Sequence, residues 1–224
     1  MAPGSSLWRI LQIADSGFPA GGFAHSAGLE AAANLGHVAT ADALERFLVA
    51  HLWNVGHASM PFVGAAHDRP AGVGELCGWI DATLTNHVAN RASRTQARAF
   101  LATCAEVFAE AEIGALAERV RRRECTAHLA PVFGAVLRAL GVGRDETLAL
   151  HLQLALRGLT SAAVRLGIVG PLEAQRLQVR HRATLDAVLA RCSAIEPDDA
   201  ASVAPLHDVF GAKHDRLYSR LFQS

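Results

Sequence analysis

The sequence has 224 residues, of which 51% are hydrophobic but only 6% aromatic, so it predicts a sizeable core built mainly from Ala, Leu and Val. Lysine plus arginine and aspartate plus glutamate number 21 each, which gives a formal net charge of zero. Nucleic-acid-binding proteins normally carry a basic excess, so we expect no nucleic-acid partner. The four widely separated cysteines form no Cys-x-x-Cys pair and are typical of buried, reduced thiols in a cytoplasmic protein: Cys77, Cys104, Cys125 and Cys192.

Two stretches bear on localisation. The first residues, MAPGSSLWRIL, lack a basic leader followed by an apolar run, so we expect no secretory signal. The longest uncharged stretch, Phe47–His67, is long enough to cross a bilayer but contains three histidines, an asparagine and a proline. We therefore expect a cytoplasmic protein with no membrane span.

Helical signals begin close to the N-terminus. Residues 15–22, DSGFPAGG, combine a proline with three glycines and predict a turn between a first helix and a second helix that begins near residues 23–24. Residues 44–55 then place apolar side chains at helical spacing, with Thr40 and Asp42 before them as candidate N-caps. This pattern predicts a helix with one apolar face.

The second half of the chain continues the helical pattern. Residues 129–140 have apolar side chains at i, i+3, i+4, i+7 and i+8, and Gly141 provides the stop. Residues 145–166 are rich in Leu and Ala on nearly all sides, which is typical of a central helix surrounded by others. Residues 171–192 begin with a proline and predict one further amphipathic helix, whereas residues 193–205 predict a loop.

Strand signals are weak throughout the sequence. It contains few β-branched runs, no Asn-Gly or Asp-Gly hairpin turn, and no sustained alternation of polar and apolar residues. We therefore predict an all-α fold, a single-domain helical bundle of about ten helices that spans residues 1–224.

One short segment suggests an enzyme. Residues 24–28, Ala-His-Ser-Ala-Gly, differ from the Gly-x-Ser-x-Gly nucleophile elbow of hydrolases only at the first position. That elbow requires a strand before the serine, whereas here a Pro-Gly turn precedes it in a helical chain. A serine hydrolase that uses Ser26 is therefore a remote alternative.

The eleven histidines raise the question of a metal site. No two of them lie three or four residues apart, so no helix presents a ready pair of ligands, and no Cys/His cluster is present. A metal site assembled from distant residues, or between subunits, is therefore kept as an alternative. The sequence also lacks both standard phosphate-binding glycine loops, and we expect no bound cofactor.

Two irregular segments have an unusual composition. Residues 18–23, FPAGGF, place two aromatic side chains in a glycine-rich turn, which needs burial against another element or another protein to become fixed. Residues 217–222, LYSRLF, place apolar side chains and an arginine at a terminus, where chains usually fray. Tyrosine and arginine are enriched at interface hot spots, so this end is a candidate docking segment.

Four segments carry the patterns of a known family in the same order. They are residues 18–30, FPAGGFAHSAGLE, residues 91–96, RASRTQ, residues 159–170, LTSAAVRLGIVG, and residues 214–222, HDRLYSRLF. Together they resemble the UreF family of urease accessory proteins, and the resemblance runs from Leu7 to the last residue. The departures are modest, the main ones being a histidine at position 25 in place of a frequent tyrosine and an aspartate at position 215 in place of glutamate.

The resemblance implies a non-catalytic, cytoplasmic adaptor, commonly a homodimer. Such a protein binds the accessory protein UreD, also called UreH, through one surface and the GTPase UreG near its dimer centre. The resulting complex engages apo-urease and regulates GTP-dependent nickel insertion. A metallochaperone that binds nickel directly is the alternative.

The resemblance also implies which residues contact partners. The segment His214–Phe222 is expected to be a docking element that orders on UreD, with Tyr218, Leu221 and Phe222 burying apolar area there. Ser93, Arg94, Arg98 and Arg165 are expected to face UreG or to line a dimer seam. The full set of expected partner-binding residues is Phe18, Pro19, Gly21, Gly22, Phe23, His25, Ser26, Gly28, Leu29, Glu30, Ser93, Arg94, Arg98, Arg165, His214, Tyr218, Ser219, Arg220, Leu221 and Phe222.

Overall fold

The computed structural model describes residues 4–224, and the side chains of residues 6–224. This part of the chain contains α-helices and short 3₁₀ turns but no strand, so the predicted all-α fold is confirmed. The twelve α-helices are α1 Gly4–Ala14, α2 Leu29–Asn34, α3 Ala41–Ala58, α4 Met60–Asp68, α5 Val73–Thr83, α6 His87–Phe108, α7 Ala111–Arg121, α8 Leu129–Ala139, α9 Arg144–Arg165, α10 Pro171–Arg180, α11 Arg182–Cys192 and α12 Pro205–Lys213.

Helix boundaries follow the local chemistry. At the start of α3, the Thr40 hydroxyl accepts a hydrogen bond from the backbone N–H of Ala43 at 3.2 Å, which satisfies one of the free donors of the first turn. After α8, Gly141 adopts a left-handed conformation with φ of 70°, and the helix ends there as predicted.

The core is organised around α9, which packs against α3, α4, α8, α10 and α11. Its buried side chains include Leu148, Leu152, Leu156 and Leu159. The sequence prediction of a central helix over residues 145–166 is therefore confirmed.

Helices α4 and α8 pack closely against each other in the core. An added Cβ at Gly134 of α8 would overlap the carbonyl oxygen of Val63 in α4 and lie 3.0 Å from the backbone nitrogen of His67. The missing side chain lets the two backbones approach, and the surrounding residues of α8 are buried almost without exception.

Three sequence predictions need correction. The helix predicted over residues 171–192 is broken at His181, where φ is −89° and ψ is 8°, into α10 and α11. The helix expected to begin near residues 23–24 begins at Leu29, since residues 22–24 form only a 3₁₀ turn. Cys125 is half-buried, whereas the other three cysteines are buried.

No helix of residues 4–224 combines the length and the apolar character that a bilayer crossing requires.

Candidate functional site

The turn, residues 15–28, is fixed to the core from one side. The Phe18 ring lies 6.3 Å from the Phe100 ring and 6.2 Å from the Phe108 ring, between centroids. The Pro19 carbonyl accepts a hydrogen bond from the Thr103 hydroxyl at 3.0 Å. Phe18, one of the expected partner-binding residues, therefore packs on α6 of its own chain.

Two glycines of the turn are required by the backbone. Gly21 has φ of 74° and Gly28 has φ of 85°, a region that side chains with a Cβ rarely adopt. A Cβ at Gly28 would also lie 3.1 Å from the backbone nitrogen of Gly211 in α12. Gly28 thus allows α12 to pack directly on the start of α2.

Glu30 of α2 is a buried carboxylate, with 3% of its surface exposed. Its Oε1 accepts the backbone N–H of Leu221 at 2.5 Å, and its Oε2 accepts that of Phe222 at 3.2 Å. The Nε2 of His214, which is fully buried, lies 3.0 Å from Oε2. All three groups belong to the tail, residues 214–224, so Glu30 joins the tail to α2.

The tail also bonds to the turn through its backbone. The Gln223 N–H donates to the Ala24 carbonyl at 2.8 Å, and the Ser26 N–H donates to the Ser224 carbonyl at 2.6 Å. The His25 Nδ1 lies 2.5 Å from the Ser224 hydroxyl. Burial, together with the nearby His214 and Arg91 charges, lowers the pKa of His25 to about 4.

Arg165, at the end of α9, lies between two aromatic rings of the turn and the tail. Its guanidinium carbon is 3.8 Å from the centroid of the Phe23 ring and 3.9 Å from that of the Phe222 ring. Its Nη2 also donates to the Phe23 carbonyl at 2.6 Å. Cation–π attraction on both faces of the guanidinium therefore links the central helix to the turn and the tail.

Three large apolar side chains around this junction point outwards. Phe23 is 71% exposed, Leu221 is 58% exposed and Tyr218 is fully exposed. Phe222 is instead 4% exposed, so it is buried in its own chain. We call Phe23, Tyr218 and Leu221 the turn–tail surface.

The tail thus packs on its own chain through Glu30 and Arg165, contacts that the sequence pattern did not reveal. Burial of Phe222 occurs as expected but against this chain, whereas Tyr218 and Leu221 stay exposed.

The tail reaches α6 through one further carboxylate. Asp215 accepts hydrogen bonds from Arg91 at 2.8 and 3.1 Å, lies 3.3 Å from His87, and is 3.3 Å from the Arg220 guanidinium. The Arg91 hydrogen bonds hold the pKa of Asp215 below its usual range. Arg91 and Asp215 were not among the expected contact residues, although both lie in segments that carry the family pattern.

Ser93, Arg94 and Arg98 lie on α6, further from the turn–tail surface. The Ser93 hydroxyl accepts the Leu129 N–H at 3.1 Å and lies 3.1 Å from His128 Nδ1, so it helps to fix the start of α8. Arg94 is 3.6 Å from Asp81. Arg94 and Arg98 border an open groove of about 450 Å³ on the α6 surface.

Asp81 connects this groove to the core. Its Oδ1 accepts from the buried His128 Nε2 at 2.9 Å and from the Asn90 amide at 3.2 Å. Although partial burial opposes the shift, these hydrogen bonds lower the pKa of Asp81. The groove therefore combines exposed guanidinium groups with a carboxylate that already has several donors.

The geometry around Ser26 does not match a nucleophile elbow. Ser26 is 1% exposed and follows a 3₁₀ turn instead of a strand. Its hydroxyl donates to the Ser224 carbonyl at 3.0 Å and receives the Glu30 N–H at 3.4 Å. Ser26 therefore fixes the tail and the first turn of α2.

Histidine, cysteine and carboxylate side chains are the usual metal ligands in proteins. Across residues 4–224, histidine, cysteine, aspartate and glutamate side chains form no group of three or more arranged to hold a metal ion. His57 lies 3.6 Å from the Cys192 sulfur, which makes a pair only.

These contacts define a helical protein whose candidate site is an interaction surface built from two distant chain segments. The UreF family model matches residues 38–182. The chain is 36% identical to urease accessory protein F of Arabidopsis thaliana, over 97% of this chain and 92% of that protein. It is 34% identical to urease accessory protein F of Oryza sativa subsp. indica, over 97% and 85%, and 30% identical to urease accessory protein UreF of Arthrobacter sp. (strain FB24), over 100% and 99%.

The chain therefore belongs to the UreF family of urease accessory proteins.

Proposed function

We propose that this chain is an adaptor of urease maturation that binds UreD and the GTPase UreG and regulates GTP-dependent nickel insertion into apo-urease. It acts as a homodimer in the cytoplasm, and nickel is the cargo of the complex. Membership of the family supports this assignment, since the relatives are urease accessory proteins over nearly their whole length.

The turn–tail surface is the feature of the structure that supports the proposed UreD contact. Phe23, Tyr218 and Leu221 expose large apolar side chains, and the Phe23 ring packs on the Arg165 guanidinium. Exposed aromatic side chains beside an arginine are suited to the centre of a protein interface, where both residue types are enriched. Arg220 and Ser219, both exposed, provide polar groups at its edge.

The α6 groove supports a second contact, with UreG. Arg98 is exposed, and no ion pair links it to another side chain of residues 6–224, whereas Arg94 shares Asp81 with His128. An exposed arginine without a carboxylate can bind an acidic group of a partner as a forked donor.

Co-purification with the UreD and UreG of the same genome tests the proposal. The double variant Tyr218→Ala/Leu221→Ala removes apolar area from the turn–tail surface without touching the core. We expect it to lose at least ten-fold in UreD affinity while its circular dichroism stays unchanged, because hot-spot truncations cost about 2 kcal/mol or more. Leu172→Ala, at a residue of α10 that is 76% exposed, is the matched control and should bind UreD normally.

Charge reversal tests the UreG contact separately. Arg98→Glu should weaken UreG capture and leave UreD capture intact, and unchanged capture of UreG would remove Arg98 from the site. Stoichiometric, tight nickel binding by the isolated chain without any partner recovery would favour the metallochaperone instead.

A further inference from the structure

Two arginines of the α6 groove lie side by side but differ in their partners. Arg94 and Arg98 are four residues apart on α6, so their side chains are neighbours on one face of the helix. Arg94 forms an ion pair with Asp81, whereas Arg98 forms none with the side chains of residues 6–224. Like charges at this helical spacing repel each other. The two arginines therefore share one carboxylate and can accommodate a second.

The ion pair between Arg94 and Asp81 is loose. The distance between the guanidinium nitrogen Nη1 and the carboxylate oxygen Oδ1 is 3.6 Å, which is longer than a hydrogen bond. Both side chains reach solvent, with 41% of Arg94 and 28% of Asp81 exposed. Ion pairs that are this exposed contribute little to stability, because water solvates the separated charges almost as well. Arg94 can therefore leave Asp81 at low cost.

Asp81 keeps other donors when Arg94 leaves. Its Oδ1 accepts hydrogen bonds from His128 Nε2 at 2.9 Å and from the Asn90 amide at 3.2 Å. His128 is fully buried, and its Nδ1 lies 3.1 Å from the Ser93 hydroxyl on the same helix as Arg94. These bonds fix the carboxylate independently of the guanidinium, so Asp81 holds Arg94 beside the groove without depending on it.

The groove between α6 and the end of α5 can admit a side chain. It is open, has a volume of about 450 Å³ and is also bordered by Leu84 and Thr85, which follow α5. A basic group in this place would meet two like charges. A carboxylate would instead accept forked hydrogen bonds from both guanidinium groups and reduce the repulsion between them. The charges of the groove therefore match an acidic side chain.

We infer that the groove binds a carboxylate side chain of UreG between Arg94 and Arg98, and that Arg94 exchanges Asp81 for the incoming group. The inference rests on the proposed UreG contact and adds the chemistry of that contact. In the free chain Asp81 holds Arg94 beside the groove, so both donors are in place when the acid arrives. Asp81 also competes with the acid for Arg94, and it thereby limits the affinity of the groove.

UreG affinity tests the competition through the sign of one effect. Asp81→Asn keeps the shape of the side chain and one acceptor oxygen, but removes the charge that competes for Arg94. We expect it to strengthen UreG binding about three-fold or more, whereas Arg94→Gln and Arg98→Gln should each weaken binding about three-fold or more. Asp186→Asn and Arg191→Gln, at exposed residues of α11, are the matched controls and should bind as the unaltered chain does.

A double-variant cycle separates this exchange from simple charge repulsion. If Asp81 acts through Arg94, most of the gain from Asp81→Asn should disappear when Arg94→Gln is also present. An equal gain in both backgrounds would show that Asp81 only repels the acidic partner. Unchanged or weaker UreG binding by a folded Asp81→Asn protein would show that Asp81 does not compete for Arg94. Either result would overturn the exchange.

A tetraglutamate peptide tests the groove of the full chain without UreG. Nuclear magnetic resonance follows the side-chain N–H signals of arginine and the imidazole signals of His128 at low salt, where contacts between guanidinium and carboxylate groups are strongest. We expect the peptide to shift the Arg94 and Arg98 signals together. His128 should shift with them, because Arg94 leaves the carboxylate to which His128 bonds. A shift of Arg98 alone would contradict the exchange, and a tetralysine peptide, the control, should shift neither arginine.

The two experiments distinguish this inference from the proposed function. If the peptide shifts both arginines but UreG is captured equally by the unaltered chain and by Arg98→Glu, the proposed UreG contact at this groove fails and the carboxylate site stands. If Arg98→Glu abolishes UreG capture while the peptide shifts neither arginine, UreG contacts the groove by other means and the inference is wrong.

Discussion

The side chains of the turn and the tail divide into two groups that the sequence does not distinguish. Ser26, Glu30, His214 and Phe222 are buried, whereas Tyr218 is exposed. In a helix or strand, spacing along the chain predicts which face a residue occupies, but these irregular segments have no such period. The role of Glu30 could have been predicted but was not, since an acid between Leu29 and three alanines must find donors if the run is buried.

Gly134 offers a test at the scale of one residue. Gly134→Ala should lower the free energy of unfolding by about 3 kcal/mol or more, because the new Cβ would overlap the α4 backbone at Val63. Gly158→Ala in α9 is the matched control, since nothing lies within 4 Å of its added Cβ, and it should stabilise by roughly 0.5–1 kcal/mol. Urea denaturation measures both, and equal effects would contradict the close packing of α4 on α8.

At the scale of elements, apolar spacing predicted α3, α8 and α9 to within a few residues of their observed ends. Each of these helices buries one face or nearly all of its surface, so apolar residues recur with the 3.6-residue period along its length. The break at His181 left no such signal. The buried residues on either side, Leu177 of α10 and Val188 of α11, are eleven positions apart, which is close to three helical turns, so the apolar pattern continues in phase across the break.

The tail gives a test in which the effect of one substitution, Glu30→Leu, on the free energy of unfolding should have opposite signs in the full and the truncated chain. Deleting residues 214–224 should leave the helices folded and lower the free energy of unfolding by roughly 2–4 kcal/mol, because Phe222 burial is lost and Glu30 keeps no donor. Adding Glu30→Leu to the truncated chain should recover part of that loss. In the full chain the same substitution should destabilise, because two backbone amides of the tail would then lack an acceptor.

Chemical denaturation monitored by circular dichroism measures all four proteins of this cycle. The same sign for Glu30→Leu in both backgrounds would contradict the link between Glu30 and the tail. UreD capture by the truncated chain should also be abolished, and unchanged affinity would show that the tail lies outside that interface.

At the scale of the whole molecule, three half-buried imidazoles from three helices lie near one another. His207 of α12 stacks on Phe47 at 3.9 Å between ring centroids and lies 5.8 Å from the ring of His51 in α3. His151 of α9 lies against the Phe133 ring and bonds to the Ser59 hydroxyl at 2.8 Å. Burial lowers the pKa of His51 to about 3 and those of His151 and His207 to about 4.

This cluster predicts acid lability. Because the folded-state pKa values lie below the unfolded value of about 6.5, the unfolded chain binds more protons as the pH falls. Stability should be greatest above about pH 6.5 and should decrease between there and about pH 4, with a loss of at least about 2 kcal/mol from pH 7 to pH 5. Nearby Asp208 opposes the shift of His207 and should moderate this loss.

His207→Phe tests the origin of the pH dependence, since it keeps a ring against Phe47 and removes one titrating group. The difference in unfolding free energy between pH 7 and pH 5 should become smaller. His37→Gln, at an exposed residue that makes no ion pair with another side chain of residues 6–224, should leave the difference unchanged. An unaltered slope in His207→Phe would show that other groups control acid unfolding.

The contact between the turn and the tail has a consequence for synthesis of the chain. Ser26 and Ser224 are separated by 198 positions, and Glu30 and Leu221 by 191, so these bonds are among the most non-local in the fold. Chains are made from the N-terminus, and non-local contacts close late. Glu30 therefore leaves the ribosome without its donors and stays unpaired at least until Phe222 has been synthesised. The bonds between α2 and the tail are consequently among the last to form during synthesis.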